Sequence, residues 1–120
     1  NGPTPGQALC VLLQWQSAGN LATDYTVFVQ LLGPANPASG TPLWAQHDGP
    51  PADGRRPTTT WQPGELIQDL HVLFIPEEAV PGEARLIAGL YDANTGQRLP
   101  ARPDGSDPAD HVTLTSLTIR

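Results

Sequence analysis

Residues 65–76 read ELIQDLHVLFIP, and apolar side chains alternate along this stretch as they do along a β-strand. One face of the strand would carry Leu66, Leu70, Val72 and Phe74, and the other would carry Ile67, Asp69, His71, Leu73 and Ile75. Similar alternation recurs in ALCVLLQWQ (residues 8–16), DYTVFVQLLG (24–33) and EARLIAGLYD (83–92). The period of two indicates strands, because helical faces repeat about every 3.6 residues.

Fourteen prolines and twelve glycines divide the chain into pieces too short for stable helices. The sequence predicts an all-β fold, an immunoglobulin/fibronectin III-like antiparallel β-sandwich of about seven strands, with residues 1–120 as a single domain. DANTGQ (92–97) predicts a hairpin turn, and QRLPAR (97–102) predicts a short edge strand. In DHVTLTSLTIR (110–120) the apolar phase slips by one residue, which predicts a β-bulge.

The net charge of −6 and the lack of lysine exclude a nucleic-acid binder, since such a protein needs a basic patch to neutralise phosphates. No apolar run approaches the roughly 20 residues of a membrane helix, so we expect no direct membrane insertion by this segment. The chain contains no methionine, and we expect it to be a domain of a larger protein or a processed product. The single cysteine, Cys10, lies in the apolar run ALCVLL and is predicted to be a small buried hydrophobe.

Acidic residues are the first candidates for chemistry. Asp48 and Asp53 lie in or beside Asp-Gly pairs, where an aspartate typically bonds its own backbone in a turn. Asp69 instead lies mid-strand between apolar residues, so its charge must face water or find a partner, for which Arg85 and Arg98 are the candidates. Nothing in the sequence brings two carboxylates across a cleft, as glycoside hydrolysis requires, and we predict no catalytic residue.

A bound metal is the next possibility. RPDGSDPAD (102–110) offers Asp104, Asp107 and Asp110 to calcium, but it lacks the EF-hand order of ligands, which favours a solvated acidic loop. The three histidines do not have the spacing of a zinc motif, and no glycine-rich phosphate loop is present. The sequence therefore predicts neither a metal site nor a cofactor.

Aromatic residues beside loops are the remaining candidates for binding. Trp44 and Trp61 border or lie in the segment HDGPPADGRRPTTTWQPGE (47–65), whose length suits a crossover from one sheet to the other. Trp61 is either a packed plug that closes the end of the sandwich or a platform on which a ligand such as a sugar stacks. The predicted ligand-binding set is Trp61, Trp44, Asp48 and His47.

Several motifs together resemble those of one family: LLQWQ, DYTVFVQLLG, AQHDGPP, PTTTWQPGE and PGEARLIAGLYDANTGQRLP. The family is an uncharacterised β-sandwich domain that follows the membrane part of bacterial glycosyltransferases resembling dolichyl-phosphate-mannose–protein mannosyltransferases. The resemblance runs from Leu9 to Arg120. Asp69 matches the family's aspartate in the fourth strand, Asp48 begins its Asp-Gly turn, and Trp61 is its tryptophan before Pro-Gly. Gln14 departs from the tyrosine that precedes tryptophan in the family's first strand.

The resemblance implies an accessory domain on the extracytoplasmic face of a bacterial membrane, within a larger membrane protein, and it brings no catalytic residues. Three functions stay open at this point. The leading one is a non-catalytic module of a glycosyltransferase-like protein that either binds a glycan or packs against the membrane part of the same protein. The alternatives are a structural or protein-interaction module without a ligand, and a small glycoside-processing enzyme.

Overall fold

A computed structural model describes residues 3–37, 40–102 and 109–120. Its seven strands are β1 (Ala8–Gln16), β2 (Thr26–Asn36), β3 (Thr41–Gly49), β4 (Leu66–Phe74), β5 (Gly82–Tyr91), β6 (Arg98–Leu99) and β7 (Val112–Ile119). They form two antiparallel sheets, the pair β1–β4 and a five-stranded sheet in which β2 lies between β3 and β5. Both β6 and β7 pair with the other edge of β5, β6 beside residues 90–91 and β7 beside residues 82–88.

This strand order confirms the predicted antiparallel β-sandwich. In an immunoglobulin-like fold, strands B and E pack against a sheet that contains C′, C, F and G. Here β1 and β4 take the places of B and E, while β3, β2, β5 and β7 take those of C′, C, F and G. Within the described residues no third strand joins the β1–β4 pair, and we call this narrow sheet the ribbon.

The alternation in the sequence separates the two faces of each long strand as the structure has them. The buried core takes one face of each long strand, and it includes Val11, Leu13, Val27, Val29, Leu31, Ile67, Leu73, Leu86, Ala88 and Leu90. Burial of such side chains stabilises the fold by about 25 cal/mol per Å² of apolar surface removed from water. The predicted bulge is also present, because the register of β7 on β5 shifts between Leu86 and Ile87 and passes over Leu114.

The structure overturns the prediction for Cys10, whose side chain is exposed on the outward face of β1. The run ALCVLL is continuously apolar, but a strand has two faces, and only one of them meets the core. The neighbours Leu9 and Val11 take the inward phase, so Cys10 and Leu12 point outward. A continuous apolar run therefore does not by itself indicate a strand that is buried on both sides.

Gly89 makes room for the ring of Phe28 on the neighbouring strand. The two residues are register partners in the β2–β5 pair, and a Cβ atom on residue 89 would lie 2.6 Å from two carbons of that ring. Arg98 restrains the ring as well, with its guanidinium carbon 4.3 Å from the ring centroid. We expect Gly89→Ala to lower the free energy of unfolding by about 1–3 kcal/mol, the usual range for overpacking.

Urea unfolding checks this expectation, with Gly19→Ala as the control. A Cβ atom at Gly19 would meet nothing within 4 Å, so the control should leave stability unchanged or raise it slightly. If Gly89→Ala were as stable as Gly19→Ala, the steric argument would fail.

Candidate functional site

Asp69 and His71 are buried polar residues on the inward face of β4, with relative exposures of 1% and 2%. Oδ2 of Asp69 accepts a hydrogen bond from Trp15 Nε1 at 3.1 Å and lies 2.7 Å from His71 Nε2. Oδ1 accepts the backbone N–H of Ala52 at 2.9 Å. One carboxylate therefore connects β1, β4 and the segment that follows β3.

These contacts correct the expectation that Arg85 or Arg98 neutralises Asp69. Arg98 instead lies 3.6 Å from Asp110, and Arg85 occupies an exposed position of β5. The reason lies in the period of the strand, since residues two apart share a face and His71 is already beside the carboxylate. Polar side chains on an otherwise apolar, buried face need hydrogen-bond partners. The positions of Asp69 and His71 on the same face of β4 therefore already indicated that they bond each other.

The pKa of Asp69 is lower than usual. Burial acts to raise it, but the hydrogen bonds from His71, from the Ala52 N–H and from Trp15 together outweigh that effect. Asp69 is therefore ionised at neutral pH, and every group that faces its oxygens donates a hydrogen. His71 consequently carries a hydrogen on Nε2 and presents Nδ1 to the neighbouring sheet.

His47, on β3, extends this chain of hydrogen bonds to the surface. Its Nδ1 lies 2.7 Å from His71 Nδ1, and the two rings meet edge to face with centroids 4.9 Å apart. When both rings are neutral, His47 donates from Nδ1, because the Nδ1 of His71 can then only accept. The second nitrogen of the exposed His47 ring, Nε2, then holds a lone pair that can take a proton.

An open cavity of about 520 Å³ lies in front of this chain. Its polar lining includes His47, Asp48, Asp53, Arg55, Asp69 and His71. Asp48 accepts a hydrogen bond from the hydroxyl of Tyr91 at 2.8 Å, which raises the pKa of that hydroxyl. Among the residues that the structure describes, no three His, Cys, Asp or Glu side chains form a cluster that could hold a metal ion. The arrangement is suited to holding and exchanging a proton.

The turn at Pro51–Gly54 presents the Ala52 N–H to the buried carboxylate. Both Ala52 and Asp53 adopt left-handed backbone conformations, with φ of 53° and 56°. That conformation is unfavourable by about 1–2 kcal/mol for an ordinary L residue, and aspartate tolerates it better than alanine does. The hydrogen bond from Ala52 to Asp69 offsets the strain, so the turn and the buried carboxylate stabilise each other.

The structure places both tryptophans of the predicted ligand set in the core. Trp61 is 2% exposed and donates its indole N–H to the carbonyl of Arg56 at 2.9 Å. Trp44 is also buried and donates its indole N–H to a β2 carbonyl at 2.6 Å. Of the two roles considered for Trp61, the plug is the one that this burial supports, since neither ring has an open face for stacking. His47 and Asp48, by contrast, both line the cavity.

The segment between β3 and β4 crosses from one sheet to the other, as predicted. At its middle, the buried hydroxyl of Thr58 donates to the carbonyl of Thr23 and accepts the N–H of Tyr25. Arg56 donates two hydrogen bonds to Glu65, at 2.9 and 2.7 Å, and these lower the pKa of Glu65 to about 2. The segment is thus hydrogen-bonded to the residues just before β2, to β4 and to itself.

The acidic loop considered for calcium falls mostly outside the described residues, since Asp104 and Asp107 belong to residues 103–108. Asp110 is described, and its carboxylate lies 2.7 Å from His111 Nδ1 and 3.6 Å from Arg98. The hydrogen bond from His111 is the main cause that holds the pKa of Asp110 below its usual value. The described part of this loop is therefore engaged in ion pairs on the protein's own side chains.

A second feature lies on the other side of the ribbon. Four large apolar side chains are exposed on its outward face: Leu12 (66%), Leu66 (56%), Leu70 (58%) and Phe74 (69%). Leu12 is the register partner of Leu70, Cys10 of Val72 and Ala8 of Phe74, so these side chains form one apolar stripe. The exposed pair Gln14–Gln68 separates Leu66 from that stripe. None of the outward residues of the ribbon is charged, although the chain has six basic and twelve acidic residues.

The fold and these two features define an immunoglobulin-like β-sandwich with a buried carboxylate–imidazole chain inside its ribbon and an apolar face outside it. No protein-family model matches the chain, and no curated protein or solved structure is significantly similar to it. In the described ranges, no helix is long and apolar enough to cross a membrane.

Proposed function

We propose that this chain is a non-catalytic accessory β-sandwich that packs, through the outward face of its ribbon, against the membrane part of its own polypeptide. The observation that carries the proposal is that exposed, uncharged and apolar face. The largest apolar patch on a typical monomer covers about 300–600 Å² and is often functional. The extracytoplasmic location and the glycosyltransferase-like parent are taken from the sequence resemblance.

The size of the ribbon face favours a tethered partner over a freely diffusing one. Nine residues per strand, at about 3.3 Å each, and two strands about 4.8 Å apart correspond to roughly 300 Å². A standard stable interface buries about 800 Å² on each partner. A separate protein or a second copy of this chain would therefore bind this face weakly. A neighbour in the same polypeptide needs less area, because a short linker raises its effective concentration to about the millimolar range.

The other candidate functions have less support. A sugar-binding surface needs aromatic faces open to solvent, and Trp44 and Trp61 are buried. A glycoside-processing enzyme needs a carboxyl group that gains and loses a proton near neutral pH. Asp69 is held in its ionised form by three donors, which favours a structural role for it.

Leu70→Glu tests the proposal, because it places a charge in the centre of the ribbon face. In the isolated chain we expect the free energy of unfolding to change by less than about 0.5 kcal/mol, since the side chain is exposed. In the intact polypeptide, including its membrane part, we expect limited proteolysis of the sandwich to become about tenfold faster, because docking is lost.

Leu114→Glu is the matched control, since it introduces the same change on β7, in the other sheet, at a side chain that is 37% exposed. It should have the same effect in the isolated chain and in the intact polypeptide. The proposal fails if Leu70→Glu also has equal effects in both contexts, or if the natural polypeptide has no membrane part.

A further inference from the structure

The hydrogen bond between His47 and His71 connects two chemically identical atoms. Both partners are Nδ1, 2.7 Å apart, so the bond exists only when one nitrogen carries a hydrogen and the other does not. It also joins the two sheets, since His47 lies on the edge strand β3 and His71 on β4. The number of protons on the pair therefore decides whether this connection between the sheets can exist.

The first added proton leaves every hydrogen bond in place. In the neutral pair, His71 donates from Nε2 to Asp69 and accepts at Nδ1 from His47. A proton taken up from solvent goes to Nε2 of His47. Of the four ring nitrogens of the pair, it alone neither carries a hydrogen nor accepts a hydrogen bond from the other ring. The resulting positive charge is stabilised through His71 by the carboxylate of Asp69, which remains ionised.

The second proton cannot be added in the same way. It must go to Nδ1 of His71, where it would point at the hydrogen on Nδ1 of His47. Two N–H groups would then face each other, and two cationic rings would be in contact. Like charges this close are strongly unfavourable where water is excluded, as it is around the buried ring of His71. The rings must separate for the second proton to bind.

We propose that the chain Asp69–His71–His47 is a latch between the two sheets that stays closed with no more than one added proton and opens when the second binds. The charged and titratable groups around it are Asp69 beside His71, Asp48 next to His47, and Asp53 and Arg55 across the cavity. In the structure neither ring is hydrogen-bonded to Asp48, Asp53 or Arg55, and Asp69 contacts His71 only through Nε2, so the second proton removes the shared bond without a substitute.

The latch makes stability depend on pH in a defined direction. Histidines in an unfolded chain titrate near pH 6.5, so below about pH 6 the unfolded chain holds two protons on these rings. The closed latch holds no more than one, and the unfolded state therefore binds at least one proton more. Stability rises with pH wherever the unfolded state binds more protons, so acidification destabilises the fold. A difference of one proton corresponds to about a tenfold rise in the unfolding equilibrium constant per pH unit.

His47→Ala tests the latch without disturbing the core, because His47 is exposed. With that ring absent, His71 can take a proton on Nδ1 towards the cavity and keep its bond to Asp69, so folded and unfolded chains bind equal numbers of protons there. From pH 6 to pH 5 we expect the unfolding constant of the wild-type chain to rise about tenfold and that of His47→Ala to rise less than about threefold.

His111→Ala is the matched control, since His111 also bonds a carboxylate at the surface but faces no second imidazole. From pH 6 to pH 5, above the range in which Asp110 takes up a proton, the unfolding constant of this variant should rise as much as that of the wild type. Nitrogen NMR of the histidine rings supplies a second readout, in which the wild-type fold should hold one added proton on the pair. The latch is overturned if His47→Ala keeps the wild-type slope, or if both rings are doubly protonated while the β3–β4 contacts persist. This inference does not rest on the proposed docking of the ribbon.

Discussion

Asp69→Ala should lower the free energy of unfolding by about 3–5 kcal/mol, because each buried donor left without an acceptor costs about 1–3 kcal/mol. The substitution leaves three donors without an acceptor: the partly buried Trp15 indole and Ala52 backbone N–H, and the buried His71 Nε2. It also removes the contact that offsets the left-handed conformation of Ala52. These three groups belong to β1, to β4 and to the crossover segment, so the substitution weakens the contacts of all three parts of the chain.

Chemical denaturation at pH 7 measures this loss, and Asp53→Asn is the control. Asp53 is exposed and has a left-handed backbone that asparagine tolerates equally well, so the control should change stability by less than about 0.5 kcal/mol. A loss below about 1 kcal/mol for Asp69→Ala would mean that water replaces the carboxylate easily and that the site is not a structural centre.

Trp61→Ala should be the second most damaging substitution, with a loss of about 3–5 kcal/mol. The indole is 2% exposed and belongs to the same buried cluster as Leu13 and Ile67. Its N–H also holds the carbonyl of Arg56, which fixes the crossover segment from inside. Removing the ring therefore creates a cavity and releases the segment that carries Ala52.

Trp61→Phe separates these two contributions. Phenylalanine keeps an apolar ring but loses the hydrogen bond to Arg56, so we expect a smaller loss, of about 1–2 kcal/mol. Urea unfolding followed by circular dichroism measures both variants without relying on tryptophan emission. If Trp61→Ala unfolds like the wild type but abolishes a change in emission on adding sugars, the ring is a binding platform and its assignment as a plug is wrong.

The sequence was sufficient for the fold because the signals are local. Alternation separates the two faces of each strand, the Asn-Thr-Gly turn marks a hairpin, and the phase slip around Leu114 marks the bulge. Whether another part of the protein covers the second face of a strand cannot be deduced from the sequence of that strand. Both phases of β1 and β4 are rich in apolar residues, so periodicity cannot tell that Cys10 and Leu70 are exposed.

The sequence allowed only some residues of the candidate site to be predicted. Asp69 stands out as a charge within an apolar strand, and His47 and Asp48 were singled out at the start of the crossover segment. The link between them is His71, which was missed as a partner because an arginine is the expected counter-ion for an aspartate. The positions of Asp69 and His71, two apart on the inward face of β4, contained that information. The contact of His71 with His47 depends on how the two sheets pack, which no local pattern specifies.

Cys10 permits the most direct test of the proposed docking, because it is the single cysteine of the chain and lies on the ribbon face itself. In the isolated chain its exposed thiol should react with a maleimide at the rate of a free thiol. In the intact polypeptide, with the membrane part present, the reaction should be at least about tenfold slower, because the thiol is covered.

A cysteine introduced at Thr95, in a Cys10→Ser background, should react equally fast in both forms, since the exposed hairpin of residues 92–97 lies outside the ribbon. Equal reactivity of Cys10 in the isolated chain and in the intact polypeptide would contradict the account.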